Sequence, residues 1–380
     1  MRITHHRLPM RVAINALLLS GPFSGVEKAI HGLLRHIGED GGDEFVALVG
    51  NDFDERLLDG ARVGIERLPV SNRSRLARIV YEEHFLSRRL KGFDLFHAPG
   101  YVAPRRLPCP LVLTIYDLVV LTHPELARRS NVLHYRWRLP RSARAAARVI
   151  VPLECVARQV VERLGVERER VRVVPLGVGA ALKPPSLDVR AAVRAKHHLA
   201  RPYILFVGNI EPKKNLPTLL RAFAALKRGG LPHKLVVAGK RGWGCREVFA
   251  LPAELGIGGD VRFLGYVEES DLAGLYGGAE LFAFPSIVEG FGLPPLEAMA
   301  CGTPVVTSDA EALLETTGEA AEHVPALDAD ALADAMRRVL SDAALRERLR
   351  AAGLARAAQF TWQQAAEMTR AVYREALTCG

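Results

Sequence analysis

The sequence predicts an α/β protein built from two doubly wound domains, each with a parallel β-sheet. The chain has 380 residues, which at roughly 100–200 residues per domain is enough for two domains with separate cores. Short runs of Val, Ile and Leu alternate along it with longer segments whose apolar residues recur at helical spacing. Strands that are apolar along their whole length are typical of parallel sheets covered by helices on both faces.

The first half, residues 1–180, is predicted to form an N-terminal Rossmann-like domain. Apolar runs predict strands at residues 11–15, 44–49, 94–97, 111–115, 148–151 and 170–174. Helical spacing predicts helices at residues 26–37, 74–91, 131–147 and 154–164.

The second half, residues 181–360, is predicted to form a C-terminal Rossmann-like domain. Its predicted strands are 203–207, 234–238, 261–263, 281–284 and 304–307, and its helices 215–227, 246–255, 270–276, 296–300, 329–340 and 343–359. Glycines and the pair Pro184–Pro185 mark a linker after residue 176, and residues 191–197 are predicted to form a short helix. Residues 361–380 form a last predicted helix, which could pack on either domain or cross back to the first.

Composition excludes several classes of protein. With 49% hydrophobic and 24% charged residues, the chain is neither disordered nor of low complexity. The five cysteines are odd in number and contain no CxxC, so neither a disulfide framework nor a zinc site is expected. The N-terminus lacks the apolar core of a signal peptide. These features predict a cytoplasmic protein whose contact with a membrane, if it has one, is peripheral.

The positive charge is confined to the first half. Residues 1–180 contain 28 Lys and Arg against 19 Asp and Glu, whereas residues 181–380 contain 23 of each. The excess predicts an anionic partner, such as an anionic lipid surface or a polyprenyl diphosphate, and a solvated arginine-rich surface is the alternative. The arginines proposed to share one helix face are Arg141, Arg144 and Arg148, with Arg128, Arg129, Arg136 and Arg138 upstream. Nucleic acid is not expected, because no nucleic-acid motif and no interleaving of aromatic and basic residues is present.

Ligands of doubly wound domains bind at the carboxyl ends of the strands, here in a predicted cleft between the two domains. Neither first strand is followed by GxGxxG, which argues against a classical dinucleotide dehydrogenase. The segment FPSIVEGFGLPPLEAMACGTPVV, residues 284–306, instead places a glycine loop before a helix whose first turn holds Pro294 and Pro295. Backbone N–H groups and the positive end of the helix dipole make this a candidate diphosphate site.

Two carboxylates, Glu289 and Glu297, lie on either side of this helix start. Carboxylates accept strong hydrogen bonds from ribose and sugar hydroxyls. The structural alternative is that Glu289 starts a turn and Glu297 complements the helix dipole. Two Asp-x-Asp sequences are candidate metal sites, one formed by Asp52 and Asp54 and one by Asp328 and Asp330. Their context is a turn and a helix N-cap, so no metal is predicted.

The segment 284–306 resembles the EX7E signature of the retaining group 1 glycosyltransferases, which have the GT-B fold. Seven further segments also resemble that family and occur in its usual order along the chain: DLFHAPGYV (94–102), TIYDLVVLTHPE (114–125), VRVVPLGV (171–178), GNIEPKKNLPTLLRAFAAL (208–226), VVAGKRGWG (236–244), VRFLGYV (261–267) and SDAEALLETTGEAA (308–321). The resemblance therefore covers nearly the whole chain and is strongest over residues 203–325.

The resemblance implies that residues 1–180 form the acceptor domain and residues 181–360 the nucleotide-sugar donor domain. It also implies roles for residues of the second half. Glu289 lies by the transferred sugar and Glu297 binds the nucleoside ribose. The backbone of Gly290, Phe291, Gly292 and Leu293 binds the diphosphate or sugar hydroxyls. Asn209, Lys240 and Val267 are further donor-binding candidates from the matching segments.

Lys213 and Lys214 are implied to stabilise the leaving diphosphate in place of a divalent metal. Lys214 matches the family's phosphate-binding lysine, whereas Lys213 stands where arginine is usual and cannot bind in a bidentate manner. A solvated pair of lysines at a helix start is the structural alternative.

In the first half, the glycine loop at Ser24 and Gly25 resembles the one by which the family approaches the donor, and a plain helix start is the alternative. Tyr116 and Asp117 stand where many relatives have His-Asp at the transferred sugar. A tyrosine can bind a hydroxyl but cannot carry a proton near neutral pH. Asp117 has a structural alternative in a turn.

The implied activity is transfer of a hexose, with retention and without a metal or other cofactor. Resemblance to bacterial mannosyltransferases points to mannose from GDP-mannose, and to surface polysaccharide or O-antigen lipopolysaccharide synthesis. A UDP- or dTDP-sugar donor remains an alternative. A sugar-nucleotide epimerase or hydrolase on the same scaffold is another, and it would need an acid–base pair such as His97 and Asp117.

Overall fold

The computed structural model describes residues 9–21, 23, 25–39 and 41–378. The chain forms two compact units. Unit 1 consists of Met1–Leu121, Arg129–Gly177 and Trp362–Gly380, and unit 2 consists of Thr122–Arg128 and Val178–Thr361. The chain passes between the units four times, because Thr122–Arg128 belongs to unit 2 and the helix that begins at Trp362 belongs to unit 1.

Unit 1 begins with a strand–helix–strand unit and continues with alternating strands and helices. Its elements, with the short α4 that runs into unit 2, are β1 (Arg11–Asn15), α1 (Val26–His36), β2 (Glu44–Gly50), β3 (Gly64–Leu68), α2 (Arg75–His84), α3 (Leu86–Arg89), β4 (Leu95–Ala98), β5 (Leu111–Thr114), α4 (Val119–Thr122), α5 (Arg129–Ala145), β6 (Arg148–Val151), α6 (Glu154–Leu164) and β7 (Val171–Val173).

Unit 2 repeats this alternation, and the chain then returns to unit 1 in its last helix. The elements are α7 (Leu187–Lys196), β8 (Tyr203–Val207), α8 (Leu216–Arg228), β9 (Lys234–Ala238), α9 (Leu251–Glu254), β10 (Val261–Gly265), α10 (Glu269–Gly277), β11 (Leu281–Phe284), α11 (Leu293–Ala300), β12 (Val305–Ser308), α12 (Glu311–Thr317), β13 (Glu322–Val324), α13 (Ala329–Ser341), α14 (Ala343–Ala357) and α15 (Trp362–Thr378).

Each unit has one parallel sheet of the doubly wound type. The order is β3-β2-β1-β4-β5-β6-β7 in unit 1 and β10-β9-β8-β11-β12-β13 in unit 2. The order reverses between β1 and β4, and again between β8 and β11, and ligands bind at such switch points. The central strands are buried along their length, as in β4 and β11, because helices cover both faces. The predicted α/β class with two Rossmann-like domains is confirmed.

The final helix α15 packs in unit 1. Its buried face includes Ala365, Val372 and Tyr373, and the Tyr373 hydroxyl lies 2.7 Å from His97 Nδ1 on β4. The ring of Trp362 covers Gly32 on α1 so closely that a Cβ there would lie 2.2 Å from the indole. The helical spacing of this last segment did not indicate which domain it packs on. These contacts place it in unit 1.

Three sequence predictions of elements were wrong or incomplete. The helix predicted at 74–91 breaks at Phe85, whose ψ of −31° with φ of −120° is not helical. The helix predicted at 246–255 is a 3₁₀ turn at Glu247–Phe249 followed by α9. The sheet-edge strands β3 and β13 were missed because GIERL and EHV carry charges and lack the apolar run of a buried strand. The short helix α12 was also missed.

Arg148 is a further correction. It is the first residue of β6 rather than part of a helix face, and it pairs with Glu375 of α15 at 3.2 Å. In the part of the chain that the structure describes, no helix is both long and apolar enough to cross a bilayer.

Candidate active site

The candidate donor residues of unit 2 follow four neighbouring strands at the carboxyl edge of its sheet. Asn209 follows β8, Lys240 follows β9, Val267 follows β10, and the loop containing Glu289 follows β11. Because these strands are parallel and adjacent in the order β10-β9-β8-β11, their carboxyl ends meet along one edge.

Two glycines allow the loops after β8 and β9 to approach each other. A Cβ on Gly239 would lie 1.9 Å from the carbonyl oxygen of Gly208. The Ile210 N–H donates to the Lys240 carbonyl at 2.9 Å, and the Lys240 ammonium lies 5.3 Å from the centre of the Tyr266 ring. The backbones at Asn209 and Lys240 are thereby held side by side.

Lys214 is positioned by a 3₁₀ turn, Pro212–Lys214, that ends in Asn215 with a left-handed φ of 54°. Asn215 is buried, and its Nδ2 donates to Pro285 O at 3.1 Å and to Ala326 O at 2.6 Å. These bonds fix the turn against the end of β11, and the Ile287 N–H completes the contact by donating to Lys213 O at 2.8 Å.

Lys214 and Glu289 form a buried ion pair at the centre of this edge. The ammonium Nζ lies 2.5 Å from Glu289 Oε1, and the two side chains are only 12% and 8% exposed. The same oxygen accepts from Ser286 Oγ at 2.6 Å, and Nζ lies 4.7 Å from the centre of the Phe284 ring. The structure therefore brings together two residues that the sequence assigned to separate motifs.

Burial and charge act in opposite directions on this pair. Burial raises the pKa of Glu289, but the charges of Lys214 and Lys213 outweigh it and the net pKa is below the ordinary value. Burial lowers the pKa of Lys214, which Glu289 opposes and Lys213 reinforces. A carboxylate is thus stabilised beside two cations in a site with little water.

The glycine loop and helix α11 lie next to this pair in the chain. Gly292 is the N-cap of α11 with a φ of 100°, and prolines occupy the first turn as predicted. Residues 290–293 are all buried, and the Phe291 carbonyl accepts from Thr316 Oγ1 at 2.5 Å. The first N–H groups of a helix have no partner within the helix, so this ordered loop and helix start can bind an anion.

Glu297 lies one turn further along α11 and is only 4% exposed. Its Oε2 accepts from the Tyr276 hydroxyl at 2.8 Å. Burial and the neighbouring Glu297 raise the pKa of Tyr276 well above its ordinary value, so the phenol keeps its proton and remains a donor. The carboxylate is therefore held in one orientation by a residue that the sequence analysis did not single out.

Unit 1 contains the other predicted residues, which the structure places at the carboxyl ends of β1 and β5. Gly25 caps α1 with a φ of 49° and ψ of −111°, and a Cβ there would meet nothing within 4 Å. Its backbone is thus open to a ligand and in a conformation that favours glycine. Ser24, predicted with it, lies outside the described residues.

Tyr116 and Asp117 follow β5 and contact Tyr101. The Tyr101 hydroxyl donates to Asp117 Oδ2 at 3.2 Å, and the Val119 N–H donates to Oδ1 at 3.1 Å. The rings of Tyr101 and Tyr116 meet edge to face at 5.7 Å. Burial raises the pKa of Tyr116, so this hydroxyl is a hydrogen-bonding group and not a base.

His97 lies inside unit 1 rather than at its edge. It is 1% exposed, with Nδ1 2.7 Å from the Tyr373 hydroxyl and Nε2 2.8 Å from Thr114 Oγ1. Burial lowers the pKa of His97 to about 3. Both ring nitrogens are used and the ring stays neutral, so His97 cannot serve as the acid or base of an epimerase.

The aspartates considered as metal ligands have structural partners. Asp328 caps α13 by accepting from the Ala331 N–H, as predicted. Asp54 caps the 3₁₀ turn Glu55–Leu58, and Asp52 accepts from Ser71 Oγ and the Asn72 N–H.

Sequence reasoning missed four residues that hold the site: Ser286, Asn215, Tyr276 and Tyr101. Asn215 and Tyr101 lie within segments that carried the resemblance and have positive φ angles, but a sequence does not display backbone conformation. Ser286 and Tyr276 act through contacts that only the fold reveals.

The chain is similar in sequence and in fold to known proteins. The sequence matches the family "Glycosyl transferases group 1" over residues 190–356 and "Glycosyltransferase Family 4" over residues 23–181. It is 32% identical over 282 residues to the O-antigen chain mannosyltransferase B of Escherichia coli, covering 74% of each chain.

Solved structures share the fold. Sucrose-phosphate synthase from Thermosynechococcus elongatus superposes with a TM-score of 0.78 at 24% identity, covering 98% of this chain and 100% of the other. The Anabaena protein HepE, in complex with UDP and glucose, superposes with a TM-score of 0.78 at 20% identity, covering 96% and 99%. The chain therefore belongs to the group 1 glycosyltransferases and has the GT-B fold.

Proposed function

We propose that this glycosyltransferase moves a hexose from a nucleotide diphosphate sugar with retention of configuration and without a metal ion. The observation that carries the proposal is the Lys214–Glu289 pair, buried beside the glycine loop at the start of α11. An ammonium and a set of backbone N–H groups there can bind a diphosphate, while the carboxylate lies next to them to meet a sugar.

The chemistry follows from where charge develops. When the bond between the sugar C1 and the diphosphate oxygen breaks, its electron pair moves onto the β-phosphate. Lys214 and the N–H groups of residues 290–293 are ordered before the reaction, so they stabilise that charge at little reorganisation cost. This is the work that a divalent metal performs in other phosphate-releasing enzymes.

In the proposed reaction, the acceptor hydroxyl attacks on the face from which the diphosphate leaves, and a phosphate oxygen takes its proton. No protein base is then required. The burial of His97 and the raised pKa of Tyr116 support this route, because both remove candidates for such a base in unit 1. Glu289 lies by the sugar, and Glu297, oriented by Tyr276, binds the ribose.

The donor is proposed to be GDP-mannose, and the acceptor a growing cell-surface glycan or a polyprenyl-diphosphate-linked glycan. The mannosyltransferase of Escherichia coli supports the sugar. A UDP- or dTDP-sugar is the alternative. A panel of GDP-mannose, UDP-glucose, UDP-GlcNAc, UDP-galactose and dTDP-rhamnose, read as ligand-induced thermal shift, should show the largest shift with GDP-mannose. A larger shift with another nucleotide would replace this donor.

Two measurements test the mechanism once a donor is known. The anomeric configuration of the product, read by NMR, should be that of the donor, and inversion would refute retention. Activity should be unchanged by EDTA, and a loss restored by a divalent cation would refute metal independence. Rapid turnover of donor without acceptor would favour the epimerase or hydrolase alternative.

Variants test the residues. Glu289→Ala and Lys214→Ala should each lower transfer by roughly 10²–10³-fold or more, the usual cost of removing a charge-stabilising group. Gly179→Ala is a matched control, because a Cβ there meets nothing within 4 Å. Wild-type rates in both active-site variants would refute the assignment.

A further inference from the structure

Exposed apolar side chains gather on two helices of unit 1. Leu133 and Trp137 of α5 are 70% and 74% exposed, and Leu76 and Val80 of α2 are 74% and 45% exposed. Phe85, directly after α2, is 47% exposed. These five residues, here called the α2–α5 surface, include every large exposed hydrophobic of the described part of unit 1 except Met368.

The two helices lie beside each other. Glu83 of α2 accepts from Arg138 at 2.6 Å and from Arg141 at 3.3 Å, both on α5. These ion pairs hold the end of α2 against α5, so the exposed residues of the two helices lie in one region of unit 1.

The surface is positively charged as well as apolar. Arg136 and Arg144 are exposed and line, with Trp137 and Pro140, an open depression of about 610 Å³ on α5. Exposed arginines also flank α2, at Arg73 and Arg75. The sequence of α5 contains no acidic residue, and Glu83 on α2 is already paired with two arginines.

This set differs from the arginine face expected from the sequence. Arg141 is bound to Glu83 and to Ala103 O, Arg144 donates to Leu164 O, and Arg148 pairs with Glu375. The arginines chosen by their spacing therefore make contacts within unit 1. The exposed face of α5 is formed instead by Leu133 and Trp137, with Arg136 between them.

One occupant fits both properties. A second copy of the chain would bring arginines against arginines, which is unfavourable. A bilayer with anionic headgroups attracts the arginines and accepts the apolar side chains at its interfacial region, where tryptophan and leucine of amphipathic helices reside.

We propose that the α2–α5 surface docks on an anionic lipid bilayer, with Leu133 and Trp137 entering the interface and Arg136, between them on α5, facing lipid phosphates. The docking holds unit 1 against the membrane as a peripheral contact. This proposal goes beyond the transfer reaction and does not depend on it, because binding to vesicles is measured without donor or acceptor.

The test is co-sedimentation of the full chain with vesicles of phosphatidylcholine, with and without phosphatidylglycerol. The wild type should bind only the anionic vesicles, and added salt should weaken binding. The double variant Leu133→Ser, Trp137→Ser should bind at least about tenfold more weakly. The matched control Leu187→Ser, Leu327→Ser removes side chains that are 78% and 71% exposed on unit 2 and should bind as the wild type does.

Circular dichroism and the donor-induced thermal shift should be the same in both double variants, which separates lost docking from lost folding or lost donor binding. Absence of wild-type binding to anionic vesicles would overturn the proposal, as would equal binding by the Leu133, Trp137 variant. A lipid-free dimer that this variant abolishes, seen by sedimentation velocity, would also overturn it in favour of self-association.

Discussion

The ion pair between Lys214 and Glu289 allows stability and catalysis to be separated in one experiment. Lys214→Met removes the ammonium and keeps the length of the side chain, and Glu289→Gln removes the charge and keeps the shape. Each change leaves the other charge in a site where the two side chains are 12% and 8% exposed. The double variant leaves no unpaired charge.

The expected magnitude follows from that burial. Removing one partner of a buried pair costs about 3–5 kcal/mol, because the remaining charge has lost its compensation. Replacing both partners by uncharged groups of similar volume is often close to neutral. Each single variant should therefore lower local stability by about 3 kcal/mol or more, and the double variant should recover most of it. Transfer activity should stay low in all three.

Hydrogen exchange read by mass spectrometry on peptides covering β11 and α11 measures this locally, which suits a chain of two units that need not unfold together. Exchange should be faster by roughly two orders of magnitude in each single variant and near the wild-type rate in the double variant. A double variant no more protected than the singles would refute the paired charges as the cause. Recovery of activity together with stability would refute a direct role in transfer.

Two further predictions concern unit 1. When the pH is lowered from 7 to 5, His97 becomes protonated in the unfolded chain but stays neutral in the folded chain, where its pKa is about 3. The free energy of unfolding therefore decreases as the pH is lowered. The wild type should lose about 2 kcal/mol more than His97→Gln over this range in urea titrations, and equal losses would show that the ring is not held neutral. Gly32→Ala places a Cβ 2.2 Å from the Trp362 ring and should lower the melting temperature by several degrees, a cost of about 1–3 kcal/mol for overpacking. Gly179→Ala, which meets open space, should not.

The sheet and the candidate site were predictable from the sequence to different degrees. The buried strands carry their own apolar signal, and Pro294 and Pro295 mark the start of α11 directly. Lys214 and Glu289 could each be singled out by their motifs, but they are 75 positions apart and nothing in the sequence between them indicates their contact. That information resides in the packing of β8 against β11.

The elements that were missed have local physical reasons. β3 and β13 lie at sheet edges, where charged residues are tolerated and the apolar run is lost. Phe85 breaks the helix predicted at 74–91 although no proline or glycine marks the position. The place of α15 depended on Tyr373 meeting His97, a contact between residues 276 positions apart.

The return of α15 to unit 1 makes the order of synthesis matter for folding. Unit 2 is complete once residue 361 has emerged. Unit 1 lacks Tyr373, the partner of His97, and Trp362, which covers Gly32, until α15 emerges. At about 5–20 residues per second, the first 177 residues wait roughly 10–40 s on the ribosome for the helix that closes them. A chain truncated after Thr361 and released should therefore present a finished second unit and a first unit still open to protease.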